Sequence, residues 1–281
     1  MRVRVGLFVV PDAGDVQATV ELIVAAEQAG LDLVGVQDHP YQRRFLDTWT
    51  LLSYAAARTD RVALVTDVVN LPLRQPAMLA KAAASLDVLS GGRVELGLGA
   101  GAFWEGIEAM GGPRRTPKQS VDALVEAIGV LRAFWAGEGS VRIEGEHYAV
   151  RGAKPGPPPA HPIGIWLGAY GPRMLRITGR LADGWLPSLG GKYMSAEVAR
   201  ENQRTIDEAA KRSGREPAEI VRAVNVMGLE GSPGRWLDEL APVIEDLGFT
   251  TLLAGVPAED PVGFVRRLGE EVAPGLRERF G

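Results

Sequence analysis

Apolar β-type runs and helical apolar spacings alternate along this chain from one end to the other, and that alternation limits the folds open to it. Val3 to Val10 is a compact apolar run. Asp15 to Ala29 places Val16, Val20, Ile23, Val24 and Ala26 at helical spacing, and Gly30 stops it as a C-terminal glycine does. The same reading gives strands at Leu31 to Val36, Arg61 to Thr66 and Arg93 to Leu98. It gives helices at Asp47 to Thr59 and Gln75 to Leu89, the latter closed by Gly91-Gly92. The second half continues with strands at Pro162 to Leu167, Asp183 to Leu186, Ile220 to Gly228 and Thr250 to Ala254. Helices fall at Lys118 to Trp135, Pro172 to Leu181, Ala196 to Ser213, Pro233 to Leu247 and Pro261 to Val272. Eight strand–helix units in 281 residues predict a (β/α)8 TIM barrel occupying 1–281 as one domain. An open doubly wound sheet is the alternative with the same alternation.

Two stretches break the beat. Ala102 to Thr116, rich in glycine and aromatics, is a long loop after the fourth strand. Long loops at strand C-termini tend to be functional. Val141 to Val150 reads as an inserted β-hairpin about Gly145-Glu146, and Lys154 to Pro162, with five prolines, as an extended connector.

In a barrel the chemistry sits at the C-terminal ends of the strands. The second strand ends in Asp38-His39, a carboxylate and an imidazole suited to acid and orienter. The third breaks at Asp67 and passes Asn70 and Pro72 before a helix begins near Gln75. The fourth ends Gly97-Leu98-Gly99-Ala100-Gly101, where alternating glycines let a flat ring approach the backbone. Its position after the fourth strand and before a loop argues against a dinucleotide fingerprint. The fifth ends Gly168-Ala169-Tyr170-Gly171-Pro172-Arg173, a glycine-rich turn into a helix whose free amides, with Arg173, suit a phosphate.

The bulk numbers exclude several classes. The net charge is −4 and no basic run appears, which argues against nucleic acid. With no cysteine there are no disulfides, thiolate metal sites or cysteine nucleophiles. Of the three histidines (His39, His147 and His161) only His39 falls at a strand end, too few for a metal hydrolase. No segment is apolar enough to span a bilayer, and the reading is a cytoplasmic protein acting on a small molecule, with no membrane partner.

The blocks QDHP at 37–40, TDVVNLPLRQPA from Thr66, LDVLSGGRVELGLGAG at 86–101, GEHY from Gly145 and GAYGPRMLRITGRLADGW from Gly168 together resemble the luciferase-like monooxygenase superfamily. Within it the chain looks most similar to the coenzyme F420-dependent oxidoreductases. The resemblance implies that Asp38 and His39 stand beside a deazaflavin ring, with His39 the proton donor. It implies that Asp67-Val68 forms a bulge with a non-prolyl cis peptide behind the ring, followed by the polar Asn70. It also implies that Gly99 and Gly101 contact the ring, that Gly168, Ala169, Gly171, Pro172 and Arg173 hold the phosphate, and that the protein is a homodimer. An FMN-dependent monooxygenase is the alternative on the same fold, and a barrel that has lost its cofactor is a third. One departure matters: the family's sugar-phosphate dehydrogenases carry a catalytic glutamate where this chain has Ala102. Phe103 and Trp104 follow, which suggests an apolar or aromatic substrate wall.

Overall fold

The computed structural model describes residues 2–137, 139–190 and 193–281. In chain order the strands are β1 (Arg4–Val9), β2 (Leu33–Val36), β3 (Ala63–Thr66), β4 (Val69–Asn70), β5 (Val94–Gly99), β6 (Val141–Glu144), β7 (Ala149–Ala153), β8 (Ile165–Leu167), β9 (Gly184–Trp185), β10 (Ser188–Leu189), β11 (Val221–Val226) and β12 (Thr251–Gly255). The helices are α1 (Val16–Gln28), α2 (Thr48–Ala56), α3 (Pro76–Ser90), α4 (Trp104–Ala109), α5 (Pro117–Trp135), α6 (Pro172–Leu181), α7 (Ala196–Arg212), α8 (Pro233–Glu245), α9 (Pro261–Arg267) and α10 (Ala273–Phe280).

The barrel strands pair in the order β10-β11-β12-β1-β2-β3-β5-β8-β9, all parallel, and β9 pairs back onto β11 to close the ring. Two of the eight staves are broken. β3 resumes as β4 after a bulge, and β9 resumes as β10 after Leu186-Pro187. The open-sheet alternative is thereby ruled out. β6 and β7 form the separate antiparallel hairpin, whose second strand runs on to Ala153.

Two apolar layers hold the barrel. The larger lies between strands and helices and includes Leu7, Ile23, Leu52, Leu124 and Phe264. The smaller fills the lumen with Leu33, Val65, Trp166, Leu186, Ala223 and Leu253, because parallel strands buried on both faces need apolar residues inward as well as outward. The N-terminal end of the lumen is shut. Trp166 is buried there, the Arg4 guanidinium lies 5.1 Å from its ring centroid, and Arg4 Nε donates to Thr251 Oγ1 at 3.2 Å.

The helix ends follow local rules. Thr116 and Gln119 form a reciprocal capping box on α5, Asp47 caps α2, and Gly91 takes the left-handed conformation (φ 71°) that ends α3. Two sequence expectations change. The loop after β5 contains the short helix α4. The helix beginning at Pro261 does not stop at Val272; it passes through a π-type turn over Leu268–Val272 into α10. That turn falls just before Pro274, which has no amide to donate to a regular ladder. Among the described residues no helix is long and apolar enough to cross a membrane.

Candidate active site

The C-terminal end of the barrel gathers the polar residues that the strand ends carry. The register between β3 and β5 matches Leu64 to Val94. Beyond the break, β4 matches Val69 to Leu98, so one extra residue is accommodated between them. The Asp67–Val68 peptide at this bulge is cis. Val68 projects against three glycines. A Cβ built on Gly99 would lie 2.9 Å from Val68 Cγ2, one on Gly168 3.1 Å from the same atom, and one on Gly97 3.1 Å from Val68 Cγ1. The close approach that Gly99 and Gly168 permit is therefore that of the bulge itself. Gly101 (φ 91°) serves likewise, since a Cβ there would meet Pro72 Cγ at 2.6 Å. These glycines build the seat of the bulge.

Asp67 is buried in the top layer of the lumen. Its Oδ1 accepts from Asn225 Nδ2 of β11 at 3.0 Å, a bond across the barrel, and its Oδ2 has no partner. Burial, opposed only by the Asn225 bond, pushes its carboxyl up to about 7. Asn225 Oδ1 and Asn70 Oδ1 are also buried without a partner. Sequence reading missed Asn225. Its signal was an amide in the middle of an apolar strand, which a buried parallel strand tolerates only for a reason.

Asp38 is almost wholly buried, and both oxygens are occupied. Oδ2 accepts from the Asn70 amide at 3.0 Å and Arg74 Nε at 2.9 Å, and Oδ1 from Arg74 Nη2 at 2.6 Å. Arg74 Nη2 also reaches Asp47 Oδ2 at 2.6 Å. Burial alone would lower the Arg74 pKa, but its two carboxylates raise it. The three hydrogen bonds that Asp38 accepts come from a bidentate arginine and a backbone amide, so it anchors the polypeptide after the bulge.

His39 is half-buried and stacks on Tyr41, with centroids 5.5 Å apart and planes 18° apart. Tyr41 in turn meets Phe103 edge-on at 5.1 Å. Gly106 of α4 leaves room for both rings, since a Cβ there would lie 2.6 Å from Phe103 Cδ1 and 2.8 Å from Tyr41 Cγ. Burial lowers the His39 pKa, with the Asp38 charge opposing, so the imidazole is neutral at pH 7.

The turn after β8 is partly committed. Ala169 is buried and its carbonyl accepts from Trp185 Nε1 at 2.9 Å, while the Tyr170 hydroxyl accepts from the Ser188 amide at 2.8 Å. Gly171 is the N-cap of α6 and Pro172 its first residue, and no side chain caps this end. Arg173, expected as a free phosphate partner, is instead bound to Asp122 Oδ1 of α5 and the Lys118 carbonyl. What that turn offers an anion is the uncapped amides of the helix end. Glu105, in the first turn of α4, is exposed and paired with Arg114.

Residues 3–229 match the profile described as luciferase-like monooxygenase. The chain belongs to that family. The F420-dependent glucose-6-phosphate dehydrogenase of Beutenbergia cavernae is 31% identical, over 91% of this chain and 92% of that one. A phthiodiolone/phenolphthiodiolone dimycocerosates ketoreductase of Mycobacterium bovis is 34% identical over 76% of this chain and 54% of its own length. Among solved structures, an F420-dependent secondary alcohol dehydrogenase in complex with an F420-acetone adduct superposes with a TM-score of 0.89 at 18% identity. The match covers 99% of this chain and all of the other. The coenzyme F420-dependent tetrahydromethanopterin reductase of Methanopyrus kandleri superposes at 0.81 and 21%, covering 98% and 100%. At those identities the structural likeness is one of fold.

Proposed function

We propose that the protein is an oxidoreductase that transfers a hydride between coenzyme F420 and a small organic substrate, acting as a cytoplasmic homodimer of single-domain chains. The observation that carries this reading is the bulge at Asp67-Val68. It sits on Gly97, Gly99 and Gly168 and is surrounded by the unpartnered Asp67 Oδ2, Asn70 Oδ1 and Asn225 Oδ1. A flat heterocycle whose rim carries amide-like donors and acceptors fits that set, because unpaired buried polar atoms are costly unless a ligand or water pairs them. The names of the sequence relatives support the choice of F420 over other flat heterocycles.

When bound, F420 takes up or returns one hydride; the accompanying proton is left to the protein. Asp67, Val68, Asn70, Gly99 and Gly101 would back the ring. Gly168, Ala169, Gly171, Pro172 and Arg173 would border its phosphate, with the α6 amides as donors and Arg173 as a side chain already half spent on Asp122. His39, neutral at pH 7, accepts a proton from a substrate hydroxyl or passes one back. Asp38 holds Asn70 and Arg74 in place and touches no reacting atom. Tyr41 and Phe103 keep water from one side of His39.

Fluorescence titration of the purified protein with F420 and, separately, FMN tests the reading. Tighter binding of F420 is the expected result. Tighter binding of FMN would move the protein to flavin-dependent oxygenation on the same barrel.

A further inference from the structure

Three buried oxygens toward the C-terminal end of the lumen have no partner: Asp67 Oδ2, Asn70 Oδ1 and Asn225 Oδ1. Their side chains are 6%, 6% and 3% exposed, so bulk water does not satisfy them. The two amide oxygens can only accept a hydrogen bond. The third accepts or donates according to one proton, and that proton decides what chemistry the set recognises.

The surroundings of Asp67 favour keeping it. Oδ1 is fixed by Asn225 Nδ2 at 3.0 Å, and the same nitrogen reaches Ser188 Oγ of β10 at 3.4 Å. Gly35 of β2 lies against the carboxyl, since a Cβ there would stand 2.8 Å from Asp67 Oδ2 and 2.6 Å from Leu253 Cδ2 of β12. The titratable groups on the neighbouring elements are committed elsewhere or neutral. Past the end of β2, Asp38 holds Arg74 and the Asn70 amide, and the neutral His39 stacks on Tyr41. After β8, burial raises the Tyr170 hydroxyl, so it carries no charge up to pH 8. Among the described residues no cation pairs with Asp67. A buried carboxyl without a cation is more stable protonated than ionised.

Resting on the reading that this site seats the cofactor ring, we propose that Asp67 is its hydrogen-bond donor: a neutral acid, oriented by Asn225, that gives its Oδ2 proton to a carbonyl-type acceptor on the ring edge while the Asn70 and Asn225 oxygens accept from ring N–H groups. The set then selects an edge that carries both kinds of group, as a cyclic imide does, over one that carries donors alone. The proton is shared with the ring and no covalent bond changes. Once Asp67 ionises, Oδ2 becomes a charged acceptor set against the ring carbonyl, and binding has to take a proton from solvent.

The test first reads the acid without cofactor. The carboxyl-carbon NMR signals of aspartate-labelled protein are followed from pH 5 to pH 9, and Asp67→Asn identifies the Asp67 signal by its loss. A midpoint near 7 is expected, and a midpoint in the ordinary aspartate range overturns the proposal. Dissociation constants for F420 are then taken by fluorescence at pH 6 and pH 8. Wild-type affinity should fall about tenfold across that interval, because most of the free protein has lost the proton that binding needs. Asp67→Asn keeps a donor and cannot ionise, so it should show only the change that the cofactor's own ionisation brings. Asp67→Leu removes the donor and should bind about tenfold less tightly at pH 6. The same pH dependence in wild type and Asp67→Asn overturns the proposal, as does full affinity in Asp67→Leu. Should FMN bind in place of F420, the choice of cofactor fails while the same comparison, made with FMN, still judges the donor. Binding of neither ring defeats both readings.

Discussion

His39 and Asp67 are two titratable side chains whose environments push them in opposite directions. Burial favours the neutral form of both, which lowers the imidazole and lifts the carboxyl to about 7. A neutral imidazole is the competent proton acceptor in alcohol oxidation. That rate should therefore rise with pH through a value below the ordinary histidine range and then level off, as a kcat profile would show. His39→Asn should reduce turnover by about 10²-fold while F420 still binds, because a positioned proton acceptor contributes roughly that much. Unchanged turnover would make His39 a packing residue. Asp67 carries a stability cost. The folded state keeps its proton from about pH 4 to about pH 7 while the unfolded chain, at the ordinary 3.8, has lost it. The unfolded state then binds fewer protons, so stability falls as pH rises through that window and is flat above it. The cost above pH 7 is of order 4 kcal/mol. Asp67→Asn should accordingly raise the unfolding free energy at pH 8 by about 1 to 4 kcal/mol and leave it unchanged near pH 4, read from urea unfolding at the two values. An equal effect at both would mean the carboxyl is not held neutral.

At the scale of elements, the bulge joining β3 to β4 depends on glycines from two other strands. Gly99→Ala puts a methyl group 2.9 Å from Val68 Cγ2, in a seat already bounded by the Val69 carbonyl. Overpacking of this kind costs about 1 to 3 kcal/mol, and the bulge must move to relieve it. The variant should unfold at lower denaturant concentration and bind F420 less tightly. Full affinity would mean that the seat yields without disturbing the site. The sequence made some of these elements plain and others invisible. Pro172–Leu181 was read to its ends because proline at the first helical position and a glycine before it are local signals. The break at Asp67 was likewise visible in a strand that turned polar. The partners were not. Arg74 looks free until α2 and β2 bring Asp47 and Asp38 to it, and Arg173 looks free until α5 brings Asp122. Asn225 meets Asp67 across 158 positions of chain, a contact that no local pattern encodes.

Across the whole molecule, the strands close into a ring through the β9–β11 pairing, and the candidate site lies at the C-terminal end of that ring. Trp166, with Arg4 laid over it, stops the other. Two molecules that must meet inside such a vessel share a single doorway and have to queue. The unpaired oxygens Asp67 Oδ2, Asn70 Oδ1 and Asn225 Oδ1 are buried, while Phe103 and Tyr170, beyond the strand ends, are exposed, so whatever pairs with the buried set must enter first and leave last. Initial-rate kinetics would read this as a compulsory order. An unreactive substrate analogue should inhibit uncompetitively against F420, since it can enter only behind the cofactor; a noncompetitive pattern would reveal a second way in.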